Sequence, residues 1–138
     1  MGEIIVDVGL ENLRDRNLFE SGYLAEEEIR RVRLPAVADT GAVMLALPED
    51  IVERLGIEEV GTINTTFADG RRGELPVAGG LTIHIGDRWT IARCIVLPPG
   101  SDPLIGQVIM EELDLIADCL NQTLAPRPES PDRPLLRV

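Results

Sequence analysis

The sequence predicts a mostly β domain with a barrel-like arrangement of strands and one or two short helices. Short apolar stretches of strand length recur along the chain, separated by turns that contain Gly, Pro or Asp. Strands do not alternate regularly with helices, as they would in a parallel α/β sheet. These two observations favour a small β architecture over an α/β fold.

The N-terminal part is predicted to begin with two strands. Alternating apolar residues predict the first over residues 4–10, and the polar stretch 11–28 is expected to be an irregular loop. The second strand is expected to run from about residue 29 to 37 and to resume over 43–47. We therefore expect a strand, a small turn and another strand in this region.

A short helix and a hairpin are predicted next. Residues 48–56 begin with Pro and acidic residues and end with Gly, which are start and stop signals of a helix. Its core side is expected to carry three apolar residues, Ile51, Val52 and Leu55. Strand-like residues 62–67 and 73–77 flank Asp69-Gly70, a pair suited to the positive φ angles of a tight turn. This pattern predicts a projecting hairpin.

The second half is predicted to contain short strands and one more helical segment. The strands are expected at residues 81–85, 89–97, 103–105, 115–120 and 123–124. The first two of these form a hairpin candidate around residues 86–88, and a helical turn or two is expected over 107–113. This order again favours a mostly β domain.

The length and the proline distribution define the domain organisation. A chain of 138 residues with 44% apolar residues is the size of one domain and can bury its own core. Prolines recur near the C-terminus and exclude regular strand pairing there, at Pro126, Pro128, Pro131 and Pro134. We therefore predict one domain at residues 1–125 and a Pro-rich C-terminal tail at 126–138.

Composition excludes several kinds of partner. The formal charge of −11 and the 3% aromatic content do not fit a nucleic-acid binder, which needs a basic surface or an aromatic stacking platform. The acidity also disfavours anionic membrane surfaces, and no apolar run reaches the length of a membrane span. The N-terminus lacks the basic and apolar regions of a signal peptide, so we expect a cytoplasmic protein. Cys94 and Cys119 lie in apolar strand-like runs, and we expect two buried, unpaired thiols.

The segment most informative about function is Asp39-Thr40-Gly41-Ala42. An Asp-Thr-Gly triplet alone is an ordinary turn sequence. Here it follows a β-branched apolar strand, precedes a short helix and is followed by the Asp69-Gly70 hairpin. A late Leu104-Ile105-Gly106 triplet and a helical segment complete the order.

This order resembles the retropepsin-like (clan AA) aspartic peptidases, in particular the small bacterial members with an Asp-Thr-Gly-Ala motif. The resemblance covers roughly residues 4–124. The bacterial-type match includes Phe67-Ala68-Asp69-Gly70-Arg71 and, nearer the C-terminus, Pro128-Glu129-Ser130-Pro131. The resemblance implies the acid-protease barrel, with an active site at a C2 dimer interface.

The resemblance also implies an activity, that of an aspartic endopeptidase. The chain has one such motif and cannot accommodate two lobes, so two copies of Asp39 must meet at the axis of a homodimer. Two carboxylates about 3 Å apart repel by roughly 5 kcal/mol at an effective dielectric of ~20, which keeps one of them protonated. This is the established behaviour of aspartic protease dyads, which titrate as a unit. The water between them would hydrolyse an extended peptide or protein segment without a metal or other cofactor.

Further roles follow from the same resemblance. In the active-site loop, Thr40 would brace the dyad, Gly41 would allow close backbone approach, and Ala42 would fit under the loop. The flap, which would close over a bound peptide, is expected to comprise Phe67, Ala68, Asp69, Gly70 and Arg71. Structural support beneath the loop is assigned to a late strand and its glycine, Leu104, Ile105 and Gly106.

Two residues depart from the family pattern. Val43 occupies a position at which relatives often carry Ser or an acidic residue, and Gln107 stands where the viral enzymes carry Arg. These departures put substrate contacts and the viral mode of dimerisation in question. The alternative function is a noncatalytic peptide-binding dimer that retains the protease fold, and a purely structural dimer is a third.

Other polar residues favour structural roles. The only histidine, His84, lies between two isoleucines and is expected to face outward. Neither Cys94 nor Cys119 has neighbours spaced as metal ligands, so no metal site is predicted. We expect Trp89 to anchor a hairpin or an interface and Asp118 to have a hydrogen-bonded structural role.

Overall fold

The structure is a computed structural model that describes residues 3–138, and it is mostly β with a mixed sheet. The strands are β1 (Ile4–Asn12), β2 (Arg31–Ala38), β3 (Ala46–Pro48), β4 (Glu58–Thr66), β5 (Arg72–Ile85), β6 (Arg88–Leu97), β7 (Leu104–Ile105), β8 (Leu115–Asp118) and β9 (Thr123–Pro126). The helices are α1 (Leu13–Glu20), α2 (Glu49–Leu55) and α3 (Gln107–Glu112), with a short 3-10 helix at Glu26–Glu28. The mostly β prediction is confirmed.

Seven strands form the main sheet in the order β1-β2-β7-β3-β6-β5-β4. Strand β1 also pairs with β5, so the hydrogen-bonded order returns to the strand from which it started. The pairs β2–β7 and β3–β6 are parallel and the other pairs are antiparallel, which makes the sheet mixed. Strands β8 and β9 form a separate two-stranded sheet, in which Pro126 pairs with Leu115. The prediction that Pro126 is excluded from regular strand pairing is therefore wrong, because a proline is tolerated at the end of a strand in so short a sheet.

The core lies on the inward faces of these strands. The largest fully buried side chains are apolar and come from five strands and their flanking segments, and they include Val8, Leu10, Leu47, Leu81, Ile83 and Ile105. Helix α2 adds the three predicted residues Ile51, Val52 and Leu55, all buried. Each such side chain contributes roughly 1.5–3 kcal/mol through burial.

The prediction of an irregular loop over residues 11–28 is wrong, because helix α1 occupies much of it. The helix has no strong apolar stripe, and polar side-chain contacts fix its N-terminal end. The Asn12 side chain accepts a hydrogen bond from Asp15 N at 2.9 Å and donates one to Leu55 O at 2.8 Å. The buried Asp15 carboxylate in turn pairs with Arg30. Apolar periodicity could not reveal a helix held in this way.

Smaller corrections concern residues 43–47 and the cysteines. The strand predicted there is short and begins only at Ala46, because the preceding residues form a loop. Both cysteines are unpaired, but only Cys94 is buried, whereas Cys119 is exposed in the turn after β8. Burial raises the pKa of the Cys94 thiol to about 12.

The predicted tail is tied to the domain by a group of residues that we call the C-terminal lock: Arg88, Asp114, Arg127 and Ser130. The buried Arg88 guanidinium donates to the carbonyl oxygens of Leu113, Asp114 and Ser130. The buried Asp114 carboxylate accepts from the Arg127 side chain and, at 2.9 Å, from Leu135 N. These contacts bring the tail back onto the start of β6.

No helix within residues 3–138 is long and apolar enough to cross a membrane.

Candidate active site

Asp39 directly follows strand β2, at the start of an exposed loop of residues 39–45. The parallel pairing of β2 with β7 aligns Ala38 with Ile105, and it continues one step further because Asp39 N donates to Ile105 O at 2.9 Å. Two strands therefore fix the backbone of Asp39. The residue is partly buried, whereas Thr40 and Gly41 are exposed.

The loop orients the Asp39 carboxyl with its own backbone. Gly41 N donates to Asp39 Oδ1 at 2.9 Å, and Ala42 N donates to Asp39 O at 3.1 Å. Short polar side chains such as Asp favour this local turn. Within residues 3–138, Asp39 Oδ2 has no protein donor, so one oxygen is positioned while the other stays available.

The loop rests on the start of helix α3. A helix leaves its first N–H groups without partners inside the helix. Here Gln107 N donates to Ala42 O at 2.8 Å and Val108 N donates to Val43 O at 3.0 Å, so the loop carbonyls satisfy these groups. Backbone bonds thus fasten the Asp39 loop to α3.

Gly106 is the residue that permits this approach. A Cβ atom at Gly106 would lie 2.6 Å from Met44 O and 2.7 Å from both the carbonyl carbon and oxygen of Val43. Both neighbours are backbone, which cannot rotate away as a side chain can. The predicted close approach at Gly106 is confirmed, and Leu104 and Ile105 form the short strand that leads into it.

The hairpin of β4 and β5 turns at the predicted place, but of the Asp69-Gly70 pair only Gly70 has a positive φ, and five residues separate the two strands. Phe67 N donates to Arg71 O at 2.7 Å, Gly70 N donates to Phe67 O at 2.9 Å, and Gly70 has a φ of 86°. The Asp69 carboxylate accepts from Arg71 N at 3.0 Å and from Arg71 Nε at 2.6 Å. These bonds from Arg71 lower the pKa of Asp69. Asp69-Gly70 is therefore the tip, as the sequence predicts.

The hairpin tip is stiffened by its own side chains. The Arg71 guanidinium lies 5.6 Å from the centre of the Phe67 ring, a cation–π distance. Phe67 also packs close to the backbone of Gly73, where a Cβ atom would come within 3.0 Å of the ring. Ala68 is exposed beside this contact, as is most of β4. The hairpin thus presents a long surface that the rest of the chain does not cover.

The structure joins some of the predicted site residues and leaves others apart. The Asp39 loop and residues 104–108 form one hydrogen-bonded unit. Across residues 3–138, no hydrogen bond or ion pair links that unit to the hairpin tip. The contribution of the Gln107 and Val108 amides was not predicted, because backbone donors have no sequence signature.

The remaining polar predictions are largely supported. Asp118 accepts hydrogen bonds from Leu120 N, Asn121 N and Asn121 Nδ2, and the bonds from Asn121 lower the pKa of its carboxyl. Its predicted structural role is confirmed. Trp89 is half exposed and stacks on His84 across the hairpin of β5 and β6. In residues 3–138, no group of three His, Cys, Asp or Glu side chains is arranged to hold a metal ion.

The arrangement offers a carboxylate at an exposed loop, with main-chain support and a long uncovered hairpin on the same chain. No protein-family model matches the sequence, and no curated protein is significantly similar to it. Functional inference therefore depends on the residues and their geometry.

Proposed function

We propose that the chain is a retropepsin-like aspartic endopeptidase that acts as a homodimer. The observation that carries the proposal is the Asp39 loop, in which Gly41 N orients the carboxyl and Gly106 allows the loop to sit on α3. A carboxyl held by backbone bonds and free at its second oxygen suits proton transfer to and from water.

The strand arrangement supports the fold part of the proposal. The pairings run from β1 through β2, β7, β3, β6 and β5 and return to β1, and this circuit supports a barrel. Asp39 lies where this circuit passes from β2 to β7. We therefore propose a retropepsin-like barrel for this mostly β chain.

The proposed reaction needs two copies of Asp39. In a C2 dimer the same carboxyl approaches the axis from both sides, and repulsion keeps one of them protonated. The ionised carboxylate accepts a proton from water as the water oxygen attacks the peptide carbonyl carbon. The protonated partner donates its proton to the carbonyl oxygen, which gives a tetrahedral diol. As the C–N bond breaks, the first carboxyl donates the proton it took from water to the leaving amine, and the second carboxylate takes a proton back from a hydroxyl of the intermediate.

The hairpin of β4 and β5 would supply the flap. Its exposed backbone can bind an extended peptide by main-chain hydrogen bonds, with the Asp69-Gly70 tip closing over it. The contact between Arg71 and Phe67 would keep the tip folded while the hairpin moves as a unit. Closure would exclude water other than the attacking molecule.

The second candidate function is a noncatalytic peptide-binding dimer. The observation that favours it concerns Gln107, whose side chain donates to Glu111 at 3.2 Å within its own helix and does not reach the Asp39 loop. Val43 adds an apolar side chain, 67% exposed, beside that loop. A binding protein would keep the cleft and flap without needing a tightly braced dyad.

Cleavage of a mixed peptide library from acidic to neutral pH, read by mass spectrometry, tests the proposal. We expect wild type to cut and Asp39→Asn to lose at least about 10³-fold in rate, because Asn cannot exchange the proton. Asp87→Asn, which makes the same change in an exposed hairpin turn, is the matched control and should cut as wild type does.

Dimer state and thermal unfolding of each variant are measured alongside. An Asp39→Asn variant that cuts at the wild-type rate would refute the mechanism. Wild-type dimers that retain peptides intact across the pH range would instead establish the binding function.

A further inference from the structure

A notch lies on the outer face of the sheet where β2, β1 and β5 run side by side. Gly9 of β1 is paired with Arg33 on one side and with His84 on the other. Its neighbours Val8 and Leu10 are buried, so Gly9 faces outward. Because Gly9 has no side chain, the backbone of β1 forms the floor of a depression between a guanidinium and an imidazole.

The next row of the sheet adds more charge. Glu11 of β1 lies between Arg31 of β2 and Thr82 of β5. Arg16 from helix α1 donates to both oxygens of the Glu11 carboxylate, at 2.7 and 2.9 Å. The arginines, His84 and Glu11 line a single depression of about 320 Å³. Helix α1, which apolar periodicity did not predict, thus completes this surface.

Each arginine is oriented by a carboxylate but keeps donors to spare. Arg33 contacts Asp7 through Nη1 alone, at 2.7 Å, and its Nη2 would lie 3.3 Å from a Cβ atom at Gly9. Arg31 Nη2 lies 3.8 Å from Glu11 Oε2 and donates a hydrogen bond to Glu26 O at 3.3 Å. A guanidinium has five N–H groups, so these contacts leave a fork of donors over the notch.

The charge balance of the notch is opposite to that of the chain. Among the residues that line the notch, three arginines, Arg16, Arg31 and Arg33, outnumber one carboxylate, Glu11, whereas the whole chain has a net charge of −11. Further carboxylates lie nearby: Asp7 pairs with Arg33, and Glu20 and Glu26 act electrostatically on Arg16. An anion is therefore attracted here and repelled by most of the surface. Planar guanidinium forks match the oxygen spacing of carboxylate and phosphate groups.

The opposite wall is an ordered aromatic pair. The His84 ring stacks on Trp89 with centroids 6.0 Å apart, and its Nε2 lies 3.3 Å from Thr82 Oγ1. These contacts fix the imidazole at the edge of the depression. A ligand would thus meet a wall whose position is set before binding, which lowers the entropy cost of association.

We infer that this notch, with Gly9 as its floor and Arg31, Arg33 and His84 around it, binds a small oxyanion, the carboxylate or phosphate group of a small molecule. The inference is independent of the peptidase proposal, because it uses neither Asp39 nor the flap.

The inference is tested by two separate titrations at fixed pH, one with sodium phosphate and one with sodium succinate. Sodium chloride of equal ionic strength is the control. The chain has one tryptophan and one histidine, so Trp89 fluorescence and the His84 ring-proton NMR signals report on this site alone. We expect at least one of the two oxyanions to shift both signals saturably, beyond the effect of chloride.

Two variants should weaken binding at least about tenfold. Gly9→Ala fills the notch, and its Cβ would meet only the flexible end of Arg33 at 3.3 Å and His84 Cβ at 3.6 Å, so the fold should persist. Arg33→Gln removes the exposed guanidinium. Arg54→Gln removes the same charge from an exposed position on α2 and should bind as wild type does.

If only phosphate binds saturably, the ligand carries a phosphate group, and if only succinate does, the ligand carries a carboxylate. Both outcomes support the site. The inference would be overturned if neither oxyanion differed from chloride, or if a folded Gly9→Ala variant bound as tightly as wild type.

Discussion

The Asp39 loop and the C-terminal lock are held in opposite ways. The loop is fastened by main-chain hydrogen bonds to Ile105, Gln107 and Val108, and its acidic side chain is left partly free. The lock is fastened by side chains, with the Arg88 guanidinium and the Asp114 carboxylate both buried. Both Nη groups of Arg88 and both oxygens of Asp114 have partners, whereas Arg88 Nε has none within residues 3–138. The charged side chains of the lock stabilise the fold, whereas the Asp39 carboxyl in the loop keeps one oxygen free of protein donors within residues 3–138.

The difference follows from the cost of burying charge. A buried guanidinium or carboxylate is tolerated only when hydrogen bonds replace its water. In the lock, carbonyl oxygens surround the Arg88 Nη groups and the Arg127 guanidinium faces Asp114, so Arg88 Nε is the one buried donor of these charged groups left without a partner in the described residues. The Asp39 carboxyl is only partly buried, so a water molecule can reach it and protein hydrogen bonds need not replace all of its water. Substitutions in the two regions should therefore differ in size and kind.

The largest effect is expected for Arg88→Ala. The change leaves the carbonyl oxygens of Leu113, Asp114 and Ser130 without their charged donor. We expect the free energy of unfolding to fall by roughly 3 kcal/mol or more, measured by urea denaturation.

The matched control for this change is Arg93→Ala, which removes an exposed arginine from the same strand and should stay within about 0.5 kcal/mol of wild type. Equal stability of the two variants would contradict the view that Arg88 holds the tail.

A smaller effect is expected for Gly106→Ala in the other region. The new Cβ must displace the backbone of Val43 or Met44, and overpacking of this kind costs about 1–3 kcal/mol. Amide NMR shifts should change mainly in residues 39–45. Gly61→Ala, at a glycine with no atom within 4 Å of its Cβ position, should leave both stability and these shifts nearly unchanged. If the amide shift of Gly41 in the Gly106→Ala variant were that of wild type, the view that Gly106 supports the Asp39 loop would be wrong.

The same contrast explains what the sequence could predict. Strands, helix α2 and the turn at Asp69-Gly70 have local signals, namely apolar alternation, capping residues and a glycine at positive φ. Gly106 was also foreseeable, because a glycine after a short apolar strand suggests close backbone approach. The Asp39 loop and its support on residues 104–106 were therefore predicted as local structure, and their catalytic role stays a proposal.

What sequence reasoning missed depends on pairing between distant polar residues. Asp15 pairs with Arg30 and stabilises α1, and Asp114 pairs with Arg127 and fixes the tail to the domain. Neither pair has a spacing that marks it in advance, since a charged residue in a loop is usually solvated. The notch at Gly9 was missed for the same reason, because three strands bring its residues together only in the folded sheet.

The smallest effect is expected from Asp114→Asn, and it should depend on pH. The Arg127 guanidinium beside Asp114 holds the pKa of that carboxyl well below its usual range. A depressed pKa in the folded state contributes stability that is fully present above the unfolded pKa of about 3.9 and is lost as pH falls through the folded pKa. Asn tolerates the positive φ of 55° at this position, so the backbone should persist.

The urea midpoint of wild type should therefore exceed that of Asp114→Asn at pH 6, and the two should converge as the pH is lowered below about 4. Arg127→Gln should show the same convergence with wild type, because it removes the cause of the depressed pKa. If the urea midpoints of wild type and both variants instead changed in parallel with pH, the pair would contribute nothing to the lock. The effect ranks below the other two because Arg127 is partly exposed and water screens its attraction for Asp114.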